Sequence, residues 1–257
     1  MIDALVLAGG IPREGEPLYP LTRGQSKALL PVAGRPMVQW VLDALGTSRK
    51  VRRAMVVGLD GGLRYPRELV YVPNHGGLLE NINAGARKAL ELDPEASHLL
   101  VISSDIPAVS GAQIDWVIAQ AMAEPVDFSY CVIEQQAMEA RFPGCRRTYY
   151  RFRDRVVCGG DMAVVGTRLF SQDAGVWQRL TAVRKSRWKT AATIGLDVLV
   201  LFLLHRLSID EVVRRASRRL HASGRAITCP HPEVGMDVDK PFQRDLVEQV
   251  LSRRAAP

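Results

Sequence analysis

The first half of the chain alternates between short, wholly apolar runs and longer segments whose apolar residues recur at helical spacing. Residues 4–8, ALVLA, are apolar throughout and stop at Gly9-Gly10. RAMVVGL at 53–59 and HLLVISS at 98–104 have the same character. Such runs, closed by glycine or small polar residues, predict strands buried on both faces. Between them, PMVQWVLDALG at 36–46 and LLENINAGARKALELD at 78–93 carry the spacing of amphipathic helices. A helix at 111–123 and a strand at 126–133, VDFSYCVI, continue the alternation. Strands and helices in this order predict βαβ units. The expected fold class is α/β: one Rossmann-like three-layer domain over 1–257, with a mostly parallel sheet.

After residue 134 the pattern changes. TYYRFRDRVV at 148–157 predicts a hairpin or extended arm, and MAVVG at 162–166 a separate strand. A mainly helical block follows, about 173–222, read as an insertion. It precedes AITCP, GMDVDKP and a final helix from about Phe242. Ser208 with Glu211 forms a capping box. Behind it, Ile209, Val212, Val213, Ala216 and Leu220 make an apolar face, with Arg214, Arg215, Arg218 and Arg219 on the solvent side. Earlier in the block, RKSRWK at 184–189 leads into AATIGLDVLVLFLL at 191–204. That run is shorter than the ~20 residues of a spanning helix and contains Asp197. Its burial against the chain's own sheet, in a homodimer or on a membrane surface stays open, with the membrane surface not favoured.

Composition removes several classes and adds a charge. The chain has 257 residues, 47% hydrophobic and 24% charged, which excludes disordered, collagen-like and low-complexity proteins. Its net charge is +7, and only six of its 34 cations are lysine. An arginine-rich surface fits phosphorylated small molecules, nucleic acid or an anionic membrane, and fits an Arg-favouring genome equally well. The four cysteines, Cys131, Cys145, Cys158 and Cys229, form no C-x-x-C pair and no zinc-ligand spacing. Scattered free thiols, with no basic n-region or long apolar stretch at the start, point to a soluble cytoplasmic protein.

The candidate chemistry falls at the C-terminal ends of the predicted strands, where an open α/β sheet binds its ligand. Leu7, Ala8, Gly9 and Gly10 close the first strand, and the glycines let a phosphate or base approach the main chain. The third glycine of G-x-G-x-x-G is missing, and no Gly-Lys-Ser/Thr follows, so this is neither a dinucleotide fingerprint nor a Walker A loop. The continuation, PLYPLTRGQSKALLPVAGRPM, is more specific. From Leu5 to Met37 the chain resembles the nucleotidyltransferase superfamily. That family opens with a LAGG loop, Leu-x-Pro-Leu-Thr, a Lys, and Leu-Leu-Pro-Val-x-Gly-x-Pro-Met. It includes the NDP-sugar pyrophosphorylases and the cytidylyl- and guanylyltransferases of cofactor synthesis. The chain is most similar to the molybdenum-cofactor guanylyltransferase type.

The resemblance implies a fold, a reaction and a set of residues. Lys27 matches the family's phosphate-binding lysine. The family's loop arginine has no direct counterpart, because Ile11 to Pro17 forms a longer stretch whose one cation is Arg13. Asp105, in SSDIP, matches the aspartate of the Asp-x-Pro motif, which holds Mg²⁺. An unpaired carboxylate ending a buried strand is expensive to desolvate, and a divalent cation would explain it. GMDVDKP resembles the element that completes the metal shell, leaving Asp237 and Asp239 as alternatives. On a strand, both would point to one face. Gly76, Gly77, Asn81 and Asn83 fall where relatives contact base and ribose. Arg146, Arg147 and Arg151, with Gly159, Gly160 and Asp161, fall where relatives build the acceptor pocket, the last three in a substrate-contacting loop.

The expected reaction is Mg²⁺-dependent transfer of an NMP from an NTP to a phosphorylated small-molecule acceptor, with pyrophosphate leaving. A phosphate monoester with a second pKa near ~6 needs no general base, so positioning and charge neutralisation carry the catalysis. Lys27, Asp105 and Arg13 are the expected catalytic residues. A nucleotide- or nucleic-acid-binding regulator and a small metal-dependent glycosyltransferase are the alternatives. The Leu-Leu-Pro-Val string argues against the glycosyltransferase, and the retained acidic motifs argue against the regulator, so no nucleic acid is expected as a partner.

Overall fold

A computed structural model of the chain describes residues 1–170 and 206–255. The first strand, β1 (Ile2–Leu7), leads through a long loop and the single turn α1 (Tyr19–Thr22) to a small antiparallel hairpin, β2 (Pro31–Val32) and β3 (Arg35–Pro36). Helix α2 (Met37–Thr47), strands β4 (Val51–Val57) and β5 (Glu68–Val72), and helix α3 (Leu78–Leu92) follow. Next come β6 (His98–Ser103), α4 (Gly111–Ala123), β7 (Phe128–Glu134) and α5 (Gln135–Arg141). The described remainder comprises β8 (Tyr150–Arg151), β9 (Val156–Gly166), α6 (Ile209–Leu220), β10 (Gly224–Thr228) and α7 (Pro241–Ala255).

The main sheet runs β10-β7-β9-β6-β1-β4-β5, with β8 paired to β9. The β6–β1–β4–β5 pairs and the β7–β10 pair are parallel, whereas β9 is antiparallel to both β6 and β7. The fold is the α/β class expected from the strand–helix alternation, with a mostly parallel sheet. Alternate residues of β1 enter different cores. Ala4 and Val6 pack with Val41 and Leu45 of α2 and with Ile114 and Val117 of α4. Leu5 packs on the opposite face with Ala86 and Ala89 of α3. Burial on both faces is why these strands read as unbroken apolar runs.

Three sequence expectations change. The hairpin forms as β8 with the start of β9, but its second arm and the MAVVG strand are one continuous β9, so Gly159, Gly160 and Asp161 lie within a strand and not in a loop. Glycines and an aspartate suggest a break, but pairing to neighbours on both sides overrides that local preference. Strand β5 was not expected. It is a short strand at the sheet's edge, mostly half-exposed. Asp237 and Asp239 lie in irregular backbone after a short 3₁₀ turn, Pro232–Gly235, and need not share a face. The part of the helical insertion at 171–205 lies outside the described residues. At its end, α6 begins with the expected reciprocal Ser208–Glu211 capping box.

Candidate active site

In-register pairing aligns the ends of the central strands. Leu7 stands opposite Val57 on one side and Ser103 on the other. The chain leaving β1 is stitched to both neighbours: Ala8 N–H donates to Val57 O at 2.8 Å, and Ser104 N–H donates to Leu7 O at 3.2 Å. Gly9 then passes through a space that admits no side chain. A Cβ there would lie 2.6 Å from Asn81 Nδ2. Gly58, at φ +103°, approaches Gly9 so closely that its own Cβ would lie 2.4 Å from Gly9 Cα.

Lys27 is fixed onto this turn from its backbone. Ser26, buried, donates its hydroxyl to Ala8 O at 2.6 Å and accepts from Ala28 N–H at 3.3 Å, capping the 3₁₀ turn Lys27–Leu29. Lys27 N–H donates to Gly10 O at 2.9 Å. The lysine stem then runs beside Gly10, where a Cβ would lie 3.3 Å from Lys27 Cε. Its ammonium reaches Asp105 Oδ2 at 2.5 Å and Asp239 Oδ1 at 2.6 Å. Burial pulls the Lys27 ammonium down, but Asp105 and then Asp239 outweigh it, and the group stands above its ordinary value. Asp105 follows β6, where Ser103 Oγ donates to its Oδ1 and Val238 N–H donates to its carbonyl at 2.9 Å. Ser110 caps α4, so Asp105 is not occupied as a helix cap.

A second cation lies on the β9 side. Tyr130 pairs with Ala163 and Val132 with Gly159, so Gly160–Met162 stands opposite the single residue Cys131. Such a bulge re-aims side chains near a site. It delivers Asp161 beyond the last β6–β9 pair, Ile102–Met162, and close enough to Asp105 for the two charges to interact. The guanidinium of Arg147 contacts Asp237, lies 3.7 Å from Asp161 Oδ2, and donates to Gly159 O at 3.3 Å. Burial first, then the Asp105 charge, pushes Asp161 well above the ordinary carboxylate range against the pull of Arg147. Asp237 and Asp239 thus meet different cations: Asp239 joins Asp105 through Lys27, while Asp237 joins Asp161 through Arg147.

The other candidates separate. Asn81 is buried beside Gly9, but its amide serves the loop: Oδ1 accepts from His75 N–H at 2.7 Å and Nδ2 donates to Asn74 Oδ1 at 3.1 Å. Gly77 is the N-cap of α3, and Gly76 precedes it at φ +86°. Asn83, two positions beyond Asn81, falls on the far side of the helix from Gly9. Arg13 is exposed in a turn closed by Glu16, and its guanidinium makes no hydrogen bond or ion pair among the described residues. Arg146 lies over the Phe242 ring at 5.5 Å, and Arg151 is exposed on β8, so Arg147 is the one of the three arginines turned into the site.

Two functional positions went unnoticed in the sequence. Asn74 donates from Nδ2 to Gly9 O at 3.1 Å and accepts at Oδ1 from Gly76 N–H at 2.9 Å, tying the two glycine segments together. An Asn two residues before a glycine is an Asx-turn signal that could have revealed it. Ser26, just before Lys27, carries the N-cap signal.

Comparison with known proteins shows the family. Residues 4–198 match the model of the MobA-like NTP transferase domain, and the chain belongs to that family. It is a nucleotidyltransferase. A hypothetical transferase from Thermus thermophilus is 35% identical, with 95% of this chain and 99% of that one covered at a TM-score of 0.82. The CMP:2-keto-3-deoxy-manno-octonic acid synthetase complexed with CTP shares the fold at 13% identity and TM-score 0.59, covering 99% and 100% of the two chains. The 4-diphosphocytidyl-2C-methyl-D-erythritol synthase from Anaerococcus prevotii does so at 13% and 0.57, covering 98% and 96%. No curated protein matches the chain. Among the described residues, no helix is long and apolar enough to cross a membrane.

Proposed function

We propose that this chain transfers an NMP from an NTP to a phosphorylated small-molecule acceptor, releasing pyrophosphate, with Mg²⁺ as its metal. The observation that carries this reading is the convergence of Asp105 and Asp239 on Lys27 Nζ, beside the bare backbone of Gly9 and Gly10. Even with the raised Asp161 carboxyl set aside, Asp105, Asp237 and Asp239 face two cations, which leaves an excess of negative charge for a divalent ion to offset. Hard oxygen donors suit Mg²⁺. No three ligating side chains surround one point among the described residues, which fits an ion that fills its shell with phosphate and water. Bound on Asp105 and Asp239, Mg²⁺ would supply charge stabilisation to the phosphates.

The chain's own residues do the rest. Gly9 and Gly10, packed against Asn74, Asn81 and the Lys27 stem, would offer main-chain groups to the nucleotide, and Lys27 offsets charge on its phosphates. The β9 bulge and Arg147 hold Asp161 and Asp237 on the side where the acceptor would enter, and no general base is required. A screen of the four NTPs, CTP and GTP first, against phosphorylated sugars, polyols and cofactor precursors tests this. Pyrophosphate release that depends on both substrates and on Mg²⁺ is expected. NTP binding without turnover across the panel, or salt-sensitive nucleic-acid binding in its place, would overturn it.

A further inference from the structure

The Lys27 ammonium is held by two carboxylates, Asp105 at 2.5 Å and Asp239 at 2.6 Å. No other cation pairs with Asp105 or Asp239 among the described residues. We propose that Lys27 is the resident counter-cation of the Asp105–Asp239 pair, and that it exchanges this pair for the triphosphate when a divalent cation arrives. The inference rests on the nucleotidyltransferase reading and goes beyond it, because it makes the acidic site self-neutralised and couples metal binding to nucleotide binding.

Three features of the site support the exchange. First, two carboxylate oxygens brought within reach of one nitrogen repel each other strongly unless a cation lies between them. The ammonium removes that penalty in the resting protein. An ammonium and a divalent ion cannot both lie between the same oxygens, so each binds at the other's expense. Second, the lysine can move without moving the fold. Its backbone is pinned to Gly10 O and the Ser26-capped turn, while its four-carbon stem lies along the open Gly10 side. Third, the site is open on one side: the Asp239 side chain is 54% exposed and that of Lys27 24%, while Asp105 is buried behind them. Arg147, by contrast, is planar, 13% exposed and held on more than one edge, and is built to stay.

The consequence is a linkage. Without nucleotide, a metal ion must displace the ammonium into water, and its affinity suffers. With a triphosphate present, the displaced ammonium gains a new anionic partner, so metal and nucleotide favour each other.

The test uses Mn²⁺ as the probe and affinity as the readout. Titration calorimetry of the full chain, without nucleotide, would compare wild type with Lys27→Met, which keeps the stem and removes the charge. Lys27→Gln serves as a second variant should the methionine protein fail to fold. The exchange predicts at least ten-fold tighter Mn²⁺ binding in the variant, and loss of that gain when Asp105→Asn is added. Equal or weaker binding in the variant would overturn it, as would no detectable binding in either protein. A wild-type enzyme that still releases pyrophosphate while the variant gains no metal affinity would reject the exchange and leave nucleotidyl transfer standing.

Discussion

Lys27 and Arg147 each join two aspartates, but the two assemblies have little else in common. The Lys27 cluster gathers Asp105 just past the end of β6, Lys27 on a 3₁₀ turn tied to the loop after β1, and Asp239 on the segment after β10, and it stays partly open to solvent. The Arg147 cluster is built on a bulge in the one antiparallel strand of the main path and on irregular backbone, and none of its side chains is as exposed as Asp239. An ammonium on a flexible stem suits a place where partners change, whereas a forked guanidinium suits one where geometry must be kept. One cluster is therefore arranged for chemistry and the other for shape.

Five measurements sharpen or break that distinction. Asp105→Asn should abolish pyrophosphate release while the protein stays folded, since it removes half of the pair Lys27 bridges. A near wild-type rate would end the comparison at once. Arg147→Met should show its main effect in stability. Leaving Asp161 and Asp237 without their cation should cost about 3–5 kcal/mol in chemical denaturation, and an unchanged midpoint would mean that Arg147 holds nothing. Lys27→Ala should lose about 2–4 kcal/mol of transition-state stabilisation in kcat/KM, with only partial rescue by Lys27→Arg. Its unfolding midpoint should move far less than that of the Arg147 variant.

The remaining two effects are smaller. Asn74→Ala frees the Gly9 carbonyl and the Gly76 N–H together. It should raise KM for the NTP by a factor corresponding to about 1–2 kcal/mol, with kcat little changed; steady-state kinetics separate the two. Asp127 supports the β9 side from below, accepting hydrogen bonds from Arg168 and from both the hydroxyl and the N–H of Ser223. The Arg168 hydrogen bonds hold its carboxyl down at about 2, against the contrary push of burial. A depressed carboxylate stabilises the fold above its unfolded value near ~4 and stops doing so as pH falls toward 2. Asp127→Asn should thus cost roughly 1–2 kcal/mol at pH 7, discounted for the exposed Arg168, and progressively less below pH 4. A penalty that does not shrink in acid would assign it to shape and not to charge.

The same contrast explains what the sequence made legible. Leu7 to Gly10, Lys27 and Asp105 are local: each lies on a short stretch whose turn, strand and motif can be read together, and the structure brings them to adjacent strand ends. Strand β5 was hidden because it is a short, mostly half-exposed edge strand with only four apolar residues. The division of labour between Asp237 and Asp239 was hidden for a different reason. It depends on which cation each meets, and neither Lys27 nor Arg147 is near them in the chain. The unbroken run of β9 through Gly159-Gly160 is likewise a product of its two neighbours and not of its own propensity.

The bond from Lys27 to Asp239 spans 212 positions. On a ribosome adding roughly 5–20 residues per second, the lysine would emerge some ten to forty seconds before its second partner exists. The strands of β1, β4 and β6 can pair, and α2 and α3 can cover them, well within that interval. A growing chain therefore acquires its glycine turn and its lysine early and its full set of carboxylates last. Competence to hold both cations is a late product of synthesis, reached when the segment after β10 closes over Asp105.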